Sequence, residues 1–320
     1  MTKQPFRAAF CDPLALRGLA YLRIGIAAVL LTKFCCESRY LLEFYGSTGL
    51  TSWTITDAVL PPYAPRLNWL RPAFEAFRLS DDRALVAFAT LYAALLVLLL
   101  LGYRTRLTAP AAWLGHLVLN NTGSLSSYGL DQYANIALFY CAIAPCGAVL
   151  SLDALRRGTA AAGGFWPSLV FLVLRLNFAL SYLGAGLAKA QGPQWWSGEA
   201  IWRAVMQPQF HAAYLQWSWL PSVPLVAQLV CWGTLVVELG YAVFIWPART
   251  RPVWLLAAIG MHAGIALALG LWLFASVMIV MNVALFAPQA VDAVLARLAS
   301  YRPAWAALSA SPAATEESST

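Results

Sequence analysis

The chain has 320 residues, 61% of them hydrophobic and 11% charged, with a formal net charge of +7 and a mean hydropathy of +0.65. Soluble domains carry about 25% charged residues, so this composition excludes a water-soluble globular protein and points to one embedded in the lipid bilayer. The basic excess needs no nucleic-acid partner, because basic residues at the ends of membrane helices give the same total through the positive-inside rule.

Residues 1–15 hold Lys3 and Arg7 and have no short apolar run ending in a small-residue cleavage site. They read as a retained cytoplasmic segment and not as a signal peptide. Apolar stretches of roughly 17–25 residues, the length that crosses a hydrocarbon core about 30 Å thick, then recur. The pattern predicts an all-α, polytopic helical bundle spanning residues 16–290, with eight spans at 16–36, 83–102, 108–121, 131–151, 167–188, 223–247, 253–270 and 271–288. The third is short. The last two meet at Gly270, either as a tight hairpin or as one long tilted helix.

Lys3, Arg7 and Arg17 precede the first span, Arg104 and Arg106 follow the second, Arg156 and Arg157 the fourth, Arg249 and Arg251 the sixth, and Arg297 and Arg302 the last. With eight spans these all fall on one side, which places both termini in the cytoplasm. Arg39, Arg66, Arg71, Arg78, Arg83 and Arg203 fall on the other side, mostly in one long segment where the rule has less force. Two outer segments are large: 37–82, rich in Pro and aromatics, and 189–222, where tryptophan clusters as it does in an interfacial belt. In the second, EAIWRAVMQPQFHAAYLQWSWL is expected to lie along the membrane surface as an interrupted amphipathic helix. Residues 291–320 read as a cytoplasmic, largely disordered tail.

The six cysteines are scattered, with no CxxC pair and no Cys/His spacing of a metal site. They read as small apolar filler.

Ionisable groups at membrane depth are costly and face a bundle interior or a cavity. Arg23 and Lys33 lie near span ends and are expected to snorkel as anchors. Arg175, Glu238, His262 and His116 are different. Each lies about eight or nine residues from a span end, ~12–14 Å deep at 1.5 Å per residue, so a single polar layer is expected, with an Arg175–Glu238 pair at its heart. A clamp between helices and a substrate or quinone pocket with His262 as proton carrier both fit that layer.

Arg175, Tyr182 and Lys189 are spaced by seven, so they share one face of the fifth helix, with Asn177 on the same turn region. Gly184 and Gly186 thin the helix between Tyr182 and Lys189 and let a neighbour or a flat ligand approach. Lys189 runs into Trp195 and Trp196, and two readings stand open. It is a snorkelling anchor at an aromatic belt, or a partly desolvated base. NNTGSLSSYGLDQYANI (120–136) brings Asn120, Asn121, Asp131, Gln132 and Asn135 to the outer mouth; these cap a helix or line a polar entrance beside Lys189.

RLNFALSYLGAGLAKAQGPQWWSGEAIW, WGTLVVELGY and MHAGIALALGLWLFASVMIVMNVALF, with FYGSTGL and NNTGSLSSYGLDQ, resemble the HTTM family, the membrane domain shared with vitamin K-dependent gamma-glutamyl carboxylases. The resemblance runs from about residue 15 to 290. It implies a helical bundle with a cavity opening outward. In the carboxylases a lysine at the position of Lys189 deprotonates a reduced quinone, and the strong base formed with oxygen removes a γ-proton from glutamate so that CO2 adds. His262 matches the histidine of the later motif and is carried over as pocket lining. Two departures stand against carboxylation of a docked protein. GSLSSYGLDQY lacks the histidine the carboxylases have there, and the chain stops soon after the last span, where they add a large lumenal domain.

The same family includes small bacterial members similar to those that help mature a sporulation-delaying peptide toxin. The resemblance therefore implies a multi-pass protein of the bacterial cytoplasmic membrane. It is either an enzyme acting on a lipid quinone or a peptide with Lys189 as general base, or a non-catalytic helper in maturation, export or immunity of a small secreted peptide. A transporter is disfavoured, since no inverted repeat or broken helix pair is evident.

Overall fold

The computed structural model describes residues 12–159, 161, 163–208 and 216–300. Their regular structure is all helical. The nine principal helices are α1 (Ala15–Glu37), α2 (Asp81–Leu101), α3 (Thr105–Thr122), α4 (Gly129–Ile143), α5 (Phe165–Ala190), α6 (Pro224–Phe244), α7 (Arg251–Leu269), α8 (Trp272–Phe286) and α9 (Pro288–Ser300).

Local chemistry sets the ends of these helices. Ser80 caps α2 by accepting from the Arg83 amide, Asp81 and Asp82 occupy its positive first turn, and Gly102 ends it at φ +68°. Asp131 caps α4 by accepting from the Tyr128 amide at 3.2 Å. Gly270, at φ +71°, reverses the chain between α7 and α8, which pack along each other as a hairpin and not as one long helix.

Every predicted span contains a helix, but they differ in reach. Five, those beginning at Ala15, Asp81, Phe165, Pro224 and Arg251, are long and apolar enough to cross a membrane among the described residues; there are six if α8 and α9, bent by 96° at their junction, are taken together. Helix α4 stops at Ile143 and not at 151, because Pro145 and Gly147 turn the chain. At 15 residues, α4 and α8 are each about 22 Å long, short of a ~30 Å core.

Helix α1 is the axis, in contact with α2, α4, α5 and α8, while α2–α3–α4 and α5–α6–α7–α8 close around it. Leu19, Leu22 and Ile26 of α1 meet Leu96, Leu99, Leu138, Phe171 and Met281 in one continuous core. Close approach depends on Gly18, where a Cβ would collide with the Phe171 ring and with the Ala284 carbonyl.

The segment between α1 and α2 is an ordered cap. Trp53 and Leu67 pack with Leu85, the Leu67 amide donates to Thr122 Oγ1 at 3.0 Å, and Asn121 Nδ2 donates to the Pro65 carbonyl at 2.9 Å. After α5, short helices Pro193–Ser197 and Glu199–Val205 pack on α6. The centre of the predicted surface helix, 209–215, lies outside the described residues, as do residues 1–11 and 301–320 of the predicted terminal segments. Residues 291–300, expected as the start of a disordered tail, belong to α9, which Asp292 ties back to Arg17 and Tyr21.

Candidate functional site

Helix α5 carries three polar stations on one face, as its spacing of seven requires. At the end of the bundle nearer the termini, Arg175 Nη1 lies 3.6 Å from Asp12 Oδ2. Its guanidinium sits over the rings of Phe286 at 4.9 Å and Trp246 at 5.0 Å, while its Nε has no partner among the described residues.

At the middle station, Tyr182 is buried and stacked on Tyr241, with ring centroids 4.0 Å apart. Tyr241 OH donates to Asn282 Oδ1 at 2.7 Å, and Asn282 Nδ2 donates to the Met278 carbonyl at 2.9 Å and to Tyr182 OH at 2.8 Å. The Tyr182 hydroxyl lies 2.8 Å from His262 Nε2. These bonds have one consistent direction. The Met278 carbonyl only accepts, which fixes the Asn282 amide. Tyr182 then accepts a hydrogen bond from Asn282 and donates its own hydroxyl hydrogen to His262 Nε2. His262 therefore carries its hydrogen on Nδ1, which is buried and has no partner among the described residues.

At the third station, Lys189 Nζ donates to both carboxylate oxygens of Glu238, each at 2.8 Å. The Glu238 side chain is 9% exposed and that of Lys189 is 26% exposed. The Trp195 ring lies 5.4 Å from the amine. Gly186 sits at a close approach of α5 and α6, since a Cβ there would lie 3.0 Å from the Leu239 side chain and 3.1 Å from Glu238 Cβ, whereas one on Gly184 meets open space. Tyr182 and Lys189 lie two turns apart on α5, and their α6 partners Tyr241 and Glu238 lie one turn apart, so the second and third stations are neighbours along the α5–α6 contact.

The expected single layer is thus divided. Arg175 meets Asp12, and Glu238 meets Lys189, so the predicted Arg175–Glu238 pair does not form. The depth estimate set all helix ends level. In the structure α6 is staggered along α5, with Tyr241 opposite Tyr182 and Trp246 opposite Arg175, which carries Glu238 level with Gly186, about three turns beyond Arg175.

His116 belongs to another place altogether, between α2, α3 and α4. It lies 2.9 Å from Tyr92 OH through Nδ1 and 3.1 Å from the Asp131 carbonyl through Nε2. Asp131 pairs with Lys33 at 3.2 Å, and Lys33 also reaches Glu37 at 3.0 Å. Lys33 is therefore an internal bridge and not a snorkelling anchor.

Arg23 departs further from the anchor expectation. It is fully buried and donates to the carbonyls of Cys146, Leu99, Leu100 and Leu150. Of the remaining predicted residues, Asn121 ties the cap to α3, Gln132 and Asn177 are exposed, and Trp196 bonds the Ala190 carbonyl through its indole at 2.8 Å. Asn282 and Tyr241 escaped the sequence reading. A lone amide in WLFASVMIVMNVALF was the available signal, because an amide in hydrocarbon needs partners as an ion does.

A helical bundle with five apolar helices of spanning length among the described residues, and most of its buried charged groups paired inside, defines an integral membrane protein. Residues 72–290 match the HTTM domain, and the chain belongs to that family. No curated protein and no solved structure matches it.

Proposed function

We propose that this HTTM protein is a membrane-embedded enzyme related to the vitamin K-dependent carboxylases, with the Lys189–Glu238 pair as its proton-handling centre. In this reading all eight predicted segments lie in the bilayer of a bacterial cytoplasmic membrane, with α4 and α8 not spanning its full thickness alone, and both termini face the cytoplasm. The observation that carries the proposal is the pair itself. The lysine that matches the carboxylases' base is joined to a carboxylate at 2.8 Å, beside the station that holds His262 Nδ1, which has no partner among the described residues.

The donor set fits a ligand that presents acceptor oxygens, such as a quinone or a peptide carboxylate. A quinone in its reduced form supplies an acidic phenol. Lys189 and His262 Nδ1 would hold its oxygens. For Lys189 to take a proton it must first give one up, and the Glu238 carboxylate, 2.8 Å away, is the acceptor in place. Trp195, over the amine, limits water at that point.

The test compares wild type with Lys189→Arg, which keeps the charge and lacks an easily deprotonated amine. Reconstituted wild-type protein should consume oxygen with a reduced quinone analogue, and that analogue should block amine labelling of Lys189. Loss of turnover in Lys189→Arg supports the proposal. Turnover unchanged by it, or labelling indifferent to the analogue, refutes it.

The same ion pair gives a second reading its footing, since a bidentate bridge between α5 and α6 is also a good clamp. On that reading the protein assists maturation, export or immunity of a small secreted peptide, and Lys189→Arg leaves secretion of the peptide intact.

A further inference from the structure

A second polar site lies outside the α5 face. Between the ends of α1, α2, α3 and α4 lies a small pocket of about 80 Å³, open at its mouth. Its inner wall is apolar, with Leu30, Phe34, Leu85 and Leu119.

The polar end has a definite charge balance. His116 is buried, with Nε2 donating to the Asp131 carbonyl and Nδ1 2.9 Å from Tyr92 OH, and is counted as the neutral imidazole that a buried site favours. Lys33 is spent between Asp131 and Glu37. The lining carries one negative charge more than it has positive. Asp131 is buried and also occupied by the Tyr128 amide, so the surplus falls on Glu37, whose side chain is 44% exposed at the mouth. Around it stand oxygens that accept: Ser38, Ser126 and the Tyr45 hydroxyl, the last two 2.7 Å from each other.

A neighbouring groove shares Phe34, Ser38, Leu41 and Ala89 with the pocket and continues over Val86 and Leu42, both exposed on the outside of the bundle. Exposed apolar side chains on a membrane helix face lipid, so the pocket communicates with the bilayer. Arg39, also exposed, lines that groove.

We propose that this pocket binds a membrane lipid through a primary-ammonium headgroup, the ammonium seated on Glu37 and its acyl chain lying in the groove between α1 and α2. A primary ammonium has three N–H donors for an acceptor-rich mouth, and Arg39 meets the lipid phosphate. The site does not depend on the chemistry assigned to Lys189.

Native mass spectrometry of the detergent-solubilised full chain, incubated with phosphatidylethanolamine, phosphatidylcholine and phosphatidylglycerol of identical acyl chains, tests it. Ethanolamine and choline lipids share the phosphate and differ in N–H donors. Wild type should retain the ethanolamine lipid about tenfold over the choline lipid. Glu37→Gln should bring the two to parity, while Glu75→Gln, on the exposed cap, should leave the preference intact. Equal retention by wild type, a preference that survives Glu37→Gln, or strongest retention of the glycerol lipid overturns the proposal. Retention of an apolar peptide with a free amino terminus over its acetylated form, with no lipid preference, overturns it in favour of a peptide site.

Discussion

Lys189 and Glu238 face each other across the α5–α6 contact with the amine 2.8 Å from both carboxylate oxygens, and Gly186 sits at the close approach of the two helices. The partners are unequally placed, since Glu238 is nearly enclosed and Lys189 is about a quarter exposed. Removing the lysine strands a buried carboxylate, whereas removing the carboxylate leaves an amine that still reaches polar surroundings. Lys189→Met should therefore destabilise the protein by roughly 1–3 kcal/mol after allowance for screening, and Glu238→Gln by less. The double variant Lys189→Met/Glu238→Gln should recover most of the loss. Thermal unfolding in one detergent, read as a double-mutant cycle, checks this; additive losses would mean the pair is not coupled.

The Asn282–Tyr182–His262 chain makes a prediction at the level of one proton. With 15N-labelled histidine, His262 should show a protonated Nδ1 and a bare, accepting Nε2. Tyr182→Phe removes the donor to Nε2 and should release that preference, giving a mixture of tautomers. An Nε2-protonated ring in the wild type would reverse the direction assigned to the whole chain. Addition of a quinone or a carboxylate-bearing peptide should shift the Nδ1 resonance where that donor receives the ligand.

The helices were legible because hydrophobic run length is a strong local signal, and the spacing of seven along α5 placed Arg175, Tyr182 and Lys189 on one face without any tertiary information. The partners across helices were not legible. Pairing depends on the stagger between α5 and α6, which is set by Gly186 and by the stacking of Tyr241 on Tyr182, and no single-helix depth count contains it. Lys33 and Arg23 were read as anchors for a related reason. Distance from a span end says that a side chain can reach the surface, not that Asp131 or four carbonyls are waiting inside.

Arg23 should be the most sensitive basic residue in the bundle. It has no acidic partner and neutralises its burial by gathering carbonyls from the C-terminal end of α2 and from the turn after α4, where the helix dipole favours a cation. Arg23→Met leaves those carbonyls without donors and should cost about 3–5 kcal/mol. Arg23→Lys should cost nearly as much, because an ammonium is a point donor and lacks the guanidinium's span. Unfolding midpoints close to wild type for Arg23→Lys would show that charge alone matters here.

At the same end of the bundle, outside the spanning segments, Asp153 clamps the start of α3. Its carboxylate accepts from the Arg104 amide and the Thr105 amide, each at 2.7 Å, and from Thr105 Oγ1 at 2.8 Å. Burial opposes the charged form, but these bonds and the Arg156 charge outweigh it and hold the Asp153 carboxyl below its ordinary range. A lowered native value means that the unfolded chain binds the proton first on acidification. The contribution to stability is then complete above the unfolded value of about 3.9 and is lost as the pH falls through the lower native value. Asp153→Asn should lower the unfolding midpoint at neutral pH and flatten its acid dependence below about pH 4. Parallel wild-type and variant curves across that range would show that the Asp153 charge is not what holds α3 in place.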